Sequence, residues 1–174
     1  MKKLKITELN RLSKEAFKTV EKIPLIVVLD NVRSLHNVGS VFRTSDAFLL
    51  EAVYLCGITA TPPHPEIHKT ALGAEDTVAW SYFENTSEAV ELLKSTGYAV
   101  WAVEQAHGSS SLRDFKWDQT RKLAVIFGNE VKGVEQKVID LCEGCIEIPQ
   151  FGTKHSLNVS VAAGIVIYEV GSGK

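Results

Sequence analysis

Cysteine is scarce in this chain, with three residues in 174: Cys56, Cys142 and Cys145. An odd count of this kind excludes a disulfide-stapled exported scaffold and fits a reducing cytoplasm. Cys142 and Cys145 have the spacing of half a zinc site, but no second ligand pair accompanies them, so no metal is expected and buried free thiols are the simpler reading. No apolar run approaches the ~20 residues that cross a bilayer as a helix. Residues 1–22 are charged throughout and lack the apolar stretch of a secretory leader. Charge of one sign is also missing in bulk, since the net value is −2, which excludes a globally polycationic nucleic-acid binder. No G-x-G-x-x-G follows the first apolar run and no Gly-Lys-Ser/Thr closes a glycine loop. Both absences count against a nicotinamide-dependent oxidoreductase and a P-loop enzyme.

What is present describes one α/β domain. A chain of this length buries roughly 70% of its unfolded surface without help from disulfides or metals. Helical spacing at 10–21, 37–48, 65–73, 87–96, 134–142 and 156–170 alternates with short apolar runs at 24–29, 52–56, 77–82, 98–103, 122–127 and 145–148. Such alternation predicts a mainly parallel sheet flanked by helices, with strands such as Pro24–Leu29 buried on both faces. There is no internal repeat and no dividing linker. Residues 1–22 form a basic helical extension, with seven Lys and Arg against three Glu, and residues 23–174 form the main domain. That extension can touch a phosphate backbone locally, or simply cover the domain edge as a solvated helix.

Polar and glycine residues gather after four strand ends, which is where ligands bind in open parallel sheets. The first group is Asn31 to Thr44. Asn37 is a candidate N-cap, Gly39 allows a close approach, and Arg43 offers a planar fork of donors suited to phosphate. An ion pair from Arg43 to Asp30 or Glu130 is the plainer alternative. The second group, Gly128-Asn129-Glu130-Val131-Lys132-Gly133, joins a strand to a helix. Glu130 there can orient Arg43 or a substrate hydroxyl, or stabilise a helix start. The third group runs from Ile148-Pro149 to Ser156-Leu157-Asn158-Val159-Ser160. Its helix is expected to open at Ser156, with Asn158 and Ser160 facing something polar.

Taken in order, these three segments resemble the three signature motifs of the SpoU (TrmH-like) family, within the SPOUT class of S-adenosylmethionine-dependent RNA methyltransferases. The resemblance covers about residues 24–170. It implies an α/β fold whose carboxyl-terminal segment is tied into a deep trefoil knot, an arrangement nearly absent elsewhere. It implies S-adenosyl-L-methionine as cofactor, held by groups around Val103, Glu104, Gly128, Ile148 and Leu157. The implied reaction is methylation of a ribose 2′-hydroxyl of RNA without metal. Arg43 would position the hydroxyl and stabilise its developing alkoxide, while Asn37, Glu130, Ser156 and Asn158 hold Arg43 and the ribose in place.

The resemblance further implies a homodimer with helices of the knot region at the interface. Ser160, Ala163 and Gly164 make one face of the last helix flat enough for another helix. The chain carries no RNA-binding domain ahead of this one, which favours tRNA, with rRNA as the alternative. Absence of a long basic tail after Glu169 weakens the D-loop guanosine relative to the wobble ribose as target. A binding module that has lost catalysis is a further alternative, and the joint presence of the five site residues argues against it. His64 and His68 read as loop residues that can touch RNA. Trp80, Trp101 and Trp117 read as core or interface aromatics.

Overall fold

The computed structural model describes residues 1–5 and 8–171. The extension and the domain expected at 1–22 and 23–174 therefore include residues 6–7 and 172–174, which lie outside the described residues. Seven strands form one sheet in which every strand pairing is parallel. They are β1 (Ile23–Asp30), β2 (Leu50–Cys56), β3 (Ala79–Phe83), β4 (Ala99–Val103), β5 (Ser110–Ser111), β6 (Leu123–Phe127) and β7 (Gly144–Glu147). Their spatial order is β3-β2-β1-β6-β4-β7-β5. The helices are α1 (Lys14–Thr19), α2 (Leu35–Ala47), α3 (Pro65–Ala71), α4 (Thr86–Ser95), α5 (Gln136–Ile139) and α6 (Val159–Gly171). The α/β architecture expected from the alternating pattern is the one observed.

The continuous apolar runs follow from this layering. Along β1, alternate side chains point to opposite faces. Leu25, Val27 and Leu29 pack with Val38, Val41 and Phe42 of α2 and with Ala163, Val166 and Ile167 of α6. Ile26 and Val28 pack on the other face with Ala89, Val90 and Leu93 of α4 and Val138 of α5. With both faces covered, a strand has no position at which a polar side chain is favoured. The edge strand β3 shows the converse, with Trp80 and Tyr82 exposed, so Trp80 is not a core residue.

Several boundaries differ from the sequence pattern, each for a local reason. The helix expected at 10–21 shrinks to Lys14–Thr19, because Ser13 caps it through the Ala16 N–H and Val20 returns to extended backbone. It docks through Phe17, which is buried in the first core cluster, a burial that contributes about 2 kcal/mol. The helix expected at 134–142 shrinks to α5, since the Val134 and Glu135 N–H groups donate to the carboxylates of Glu104 and Asp30. Strand β5 lies inside the stretch read as merely polar. It is two serines paired to Ile146 and Glu147, too short and too polar to carry a period-two signal. No helix among the described residues is long and apolar enough to cross a membrane.

Candidate active site

The carboxyl ends of β1, β4, β6 and β7 share one edge of the sheet, and the loops that leave them converge there. The loop after β6 is a closed hairpin. Asn129 and Gly133 exchange backbone hydrogen bonds of 3.0 and 2.9 Å, and Asn129 Oδ1 accepts the N–H groups of Val131 and Lys132. Asn129 Nδ2 donates to the Asn31 carbonyl at 2.7 Å, which ties the hairpin to the exit of β1. Glycine is required twice. Gly133 has φ +69°, and a Cβ on it would meet Glu104 Oε2 at 2.2 Å. A Cβ on Gly128 would meet the Gly133–Val134 peptide at 2.1 Å.

This hairpin presents Glu130 to the start of α2. The carboxylate accepts the backbone N–H groups of Arg33 at 2.9 Å and Ser34 at 3.0 Å, and the Asn37 amide Nδ2 at 3.1 Å. Burial pushes the Glu130 carboxyl up, but the N–H donors of Arg33 and Ser34 and the Asn37 amide together outweigh it and hold its pKa below the usual carboxylate range. The helix whose start Glu130 stabilises is thus α2, reached through tertiary contact, rather than the helix that follows it in sequence.

Asn37 is not the N-cap that the sequence suggested. Ser34 caps α2 by accepting the Asn37 N–H, which leaves the Asn37 side chain free for other partners. Its Oδ1 accepts from Asn158 Nδ2 at 3.1 Å and Ser160 Oγ at 3.4 Å. Ser156 is not the cap of the last helix either. That role falls to Asn158, whose Oδ1 accepts the Ser160 N–H at 2.9 Å and the Val161 N–H at 3.4 Å. An asparagine oxygen reaches the second and third helical N–H groups, so α6 opens at Val159 and residues 156–158 stay outside the helix and exposed. Glu130, Asn37, Asn158 and Ser160 therefore form one connected polar clamp that joins all three loop segments. Gly39 serves packing, because a Cβ there would strike Ile67 O and Thr70 Oγ1 of α3.

Beside the clamp lies a cavity of about 1060 Å³. Val103, Glu104, Gly128, Ile148 and Leu157 all line it, as do Glu130, Ser156 and Asn158. Val103, Ile146, Ile148 and Leu157 supply apolar lining that suits a flat base, and the loops after β4, β6 and β7 contribute the rest of its wall. The carboxylates of Glu104, Glu130 and Glu147 line the same space, and negative charge suits a sulfonium cation. This donor set fits S-adenosylmethionine. Among the described residues no cluster of His, Cys, Asp and Glu could hold a metal ion.

Arg43 is the exception among the expected site residues. It is exposed, pairs with neither Asp30 nor Glu130, and borders a second cleft of about 390 Å³ together with Arg11, Lys14 and Asp46. Asn37, Glu130 and Asn158 are brought together in one chain, with Ser156 lining the cavity beside them, and Arg43 is not. Two supporting roles escape the sequence reading, which weighs Asp30 only as a partner for Arg43. Asp30, buried at the end of β1, accepts from Thr86 Oγ1, Asn31 Nδ2 and the Glu135 N–H. Gln105 fastens the loop after β7 through the His155 carbonyl at 2.8 Å. Asn31, directly after β1, has φ +55°. His64 caps α3 and His68 pairs with Glu75, so the two histidines do not act as a pair.

The relatives of this chain share both sequence and architecture. The family model of the SpoU rRNA Methylase family matches residues 24–168. A tRNA (guanosine(18)-2′-O)-methyltransferase of Thermus thermophilus is 35% identical over 83% of this chain and 73% of its own length. A 23S rRNA (guanosine-2′-O-)-methyltransferase of Pseudomonas putida is 33% identical, over 89% of this chain and 61% of that protein. Among solved structures, the AdoMet-bound rRNA methyltransferase of Sinorhizobium meliloti superposes with a TM-score of 0.79 at 26% identity, covering 88% of this chain and 58% of the other. The TrmH/SpoU tRNA modifying enzyme of A. aeolicus gives 0.77 at 29% identity, over 90% and 77% of the two chains. With the match spanning all three loop segments and the sheet that carries them, the chain belongs to the SpoU methylase family.

Proposed function

We propose that this protein transfers a methyl group from S-adenosyl-L-methionine to a ribose 2′-hydroxyl of tRNA in the cytoplasm, with rRNA as the second reading. The observation that carries the proposal is the clamp at the cavity mouth, where Glu130, Asn37 and Asn158 join the three motif segments into one rigid frame. The match to relatives named for tRNA and for rRNA supports the reaction class. We carry over with it the trefoil knot of the carboxyl-terminal segment.

When bound, S-adenosylmethionine supplies an electrophilic methyl group. The protein must hold the hydroxyl in line and accommodate the charge left on its oxygen. Glu130 is poorly suited to take the proton, because three donors already stabilise its carboxylate. We read Glu130, Asn37 and Asn158 as positioning residues. Ser156, which lines the cavity and makes no hydrogen bond among the described residues, touches the ribose. A guanidinium with a pKa above ~12 does not deprotonate in proteins. Arg43 accordingly positions the hydroxyl and stabilises the alkoxide, and an RNA phosphate accepts the proton.

Because Arg43 lies outside its own chain's cavity, this reading requires a homodimer whose RNA site spans both copies. Helix α6 supports it. One face is buried through Ala163, Val166, Ile167 and Val170, yet Val161, Ile165 and Tyr168 form an exposed apolar stripe at helical spacing. A helix apolar on every side is stable when both sides are covered. Gly164 lies beside that stripe with open space around it, while Ser160 is engaged with Asn37 and Asn158 and is not part of a free flat face. Tyr168 meets Phe48 edge-on at 6.0 Å, so a partner on this stripe also borders the carboxyl-terminal half of α2. The test is transfer of labelled methyl from S-adenosylmethionine to tRNA and, separately, to rRNA, followed by nucleoside analysis. A 2′-O-methylated nucleoside from tRNA is the expected result. Label in rRNA alone would favour the second reading, and label in neither, with cofactor bound, would overturn the proposal.

A further inference from the structure

The loop after β7 carries a feature that methyl transfer itself does not call for. Phe151 is 85% exposed, although it follows a residue that lines the cavity and precedes four more that do: Gln150 on one side, and His155 to Asn158 on the other. Its neighbour Gly152 has no atom within 4 Å of where a Cβ would stand, so the tip of the loop is clear of the body. One group meets the ring: the Arg113 guanidinium carbon lies 5.9 Å from its centroid. Arg113 is itself held at the sheet edge, because Leu112 donates its N–H to the Glu147 carbonyl at the end of β7.

We propose that Phe151, backed by Arg113, is a stacking platform for an unpaired base of the substrate RNA next to the reacting ribose. A single aromatic ring set among Lys154, His155, Thr153 and Gln150 is not the charge-depleted apolar core of a protein interface. An exposed ring with cations beside it is how single-stranded nucleic acid is gripped without regard to sequence, since every base has a π-face. Lys132, which lines the cavity with exposed Val131, adds a further positive charge near the site. The carboxylates nearby already accept hydrogen bonds from this chain, Glu147 from Ser109 and Glu104 from the Val134 and Gln105 N–H groups. Among the described residues, Lys132, Lys154 and Arg113 carry their charge there without an ion-pair partner. RNA is read chiefly through bases splayed from loops and bulges, so the platform selects an unpaired target and adds affinity at the site where the ribose must be held.

This inference rests on the RNA methyltransferase reading, and the experiment separates the two. Binding of the full chain to total tRNA, and to a short oligouridylate and its abasic ribose-phosphate counterpart, is measured for the parent protein, Phe151→Ala, Phe151→Trp and Arg113→Ala. Phe151→Ala is expected to weaken tRNA and oligouridylate binding by roughly tenfold to a hundredfold. It should leave abasic binding and the S-adenosylmethionine dissociation constant unmoved, and raise KM for tRNA. Phe151→Trp should retain affinity, and its indole fluorescence should be quenched by oligouridylate but not by the abasic chain. Arg113→Ala should show a smaller loss with a shallower salt dependence. Equal loss on both oligomers, or no loss with a shift in sedimentation, would overturn the platform; the second result would make Phe151 a contact between copies. Failure of methyl transfer to any RNA pool by the parent protein would instead strike the underlying reading.

Discussion

Asn37 and Arg43 stand six residues apart on α2, within one sequence motif, and their surroundings are opposite. Asn37 is 8% exposed, and both ends of its amide are occupied, by Glu130 on one side and by Asn158 and Ser160 on the other. Arg43 is exposed and makes no hydrogen bond or ion pair among the described residues. A side chain with both ends of its amide engaged within its own chain can position but has little left to offer a substrate. An unpaired guanidinium keeps all its donors for a ligand. In the proposed reading the motif thus combines a strut with a group left free for substrate, and the helix between them sets their separation.

The sharpest way to break this comparison is Arg43→Ala. Removing a donor that acts only in the transition state costs about 10²–10³-fold in turnover. Methyl transfer should fall by that factor while the melting temperature and cofactor affinity stay where they were. Parallel loss of cofactor binding would mean that Arg43 belongs to the binding site instead. Asn37→Ala should do the reverse. It strips partners from Glu130 and Asn158 together, and thermal or urea unfolding should register about 2–3 kcal/mol of lost stability. A variant as stable as the parent would deny the clamp its role.

Acidification sharpens the same contrast through Glu130. Its folded pKa lies below the ordinary 4.5, so its stabilising contribution is fully present above that value and disappears as pH falls through the lower, folded one. Unfolding free energy measured between pH 6 and about pH 3 should therefore drop more steeply in the parent than in Glu130→Gln; identical slopes would show that the carboxylate is not held by its donors. The smallest effect concerns the thiols. Burial pushes Cys56 and Cys142 up to about 12, so neither should react with iodoacetamide at pH 8 in the folded protein, and alkylation read by mass should appear only on unfolding.

Much of this was legible in the residues. The buried strands announced themselves because β-branched runs such as Ile26-Val27-Val28 suit positions covered on both faces. The ligand end of the sheet was legible because glycines and small polar residues collect where loops must approach one another. Boundaries were less so at Ser156 and Asn37. Both are good cap residues by type, but Asn158 and Ser34 captured the orphan N–H groups, and which polar residue does so depends on where the chain enters the helix. The pairing of β5 left no trace at all, since two serines hold no pattern.

The sequence by itself determined the α/β class, the parallel sheet and the family, because hydrophobic period and motif chemistry are local properties of the chain; the resemblance then implied five residues that line the cavity. Tertiary structure alone decided that Glu130 grips α2, that both ends of the Asn37 amide are engaged, that Arg43 lies outside its own chain's cavity and that Phe151 stands clear at the rim. Those facts depend on segments some 90 to 120 positions apart in the chain meeting at one edge of the sheet, and no local pattern encodes which partner a polar side chain will find there.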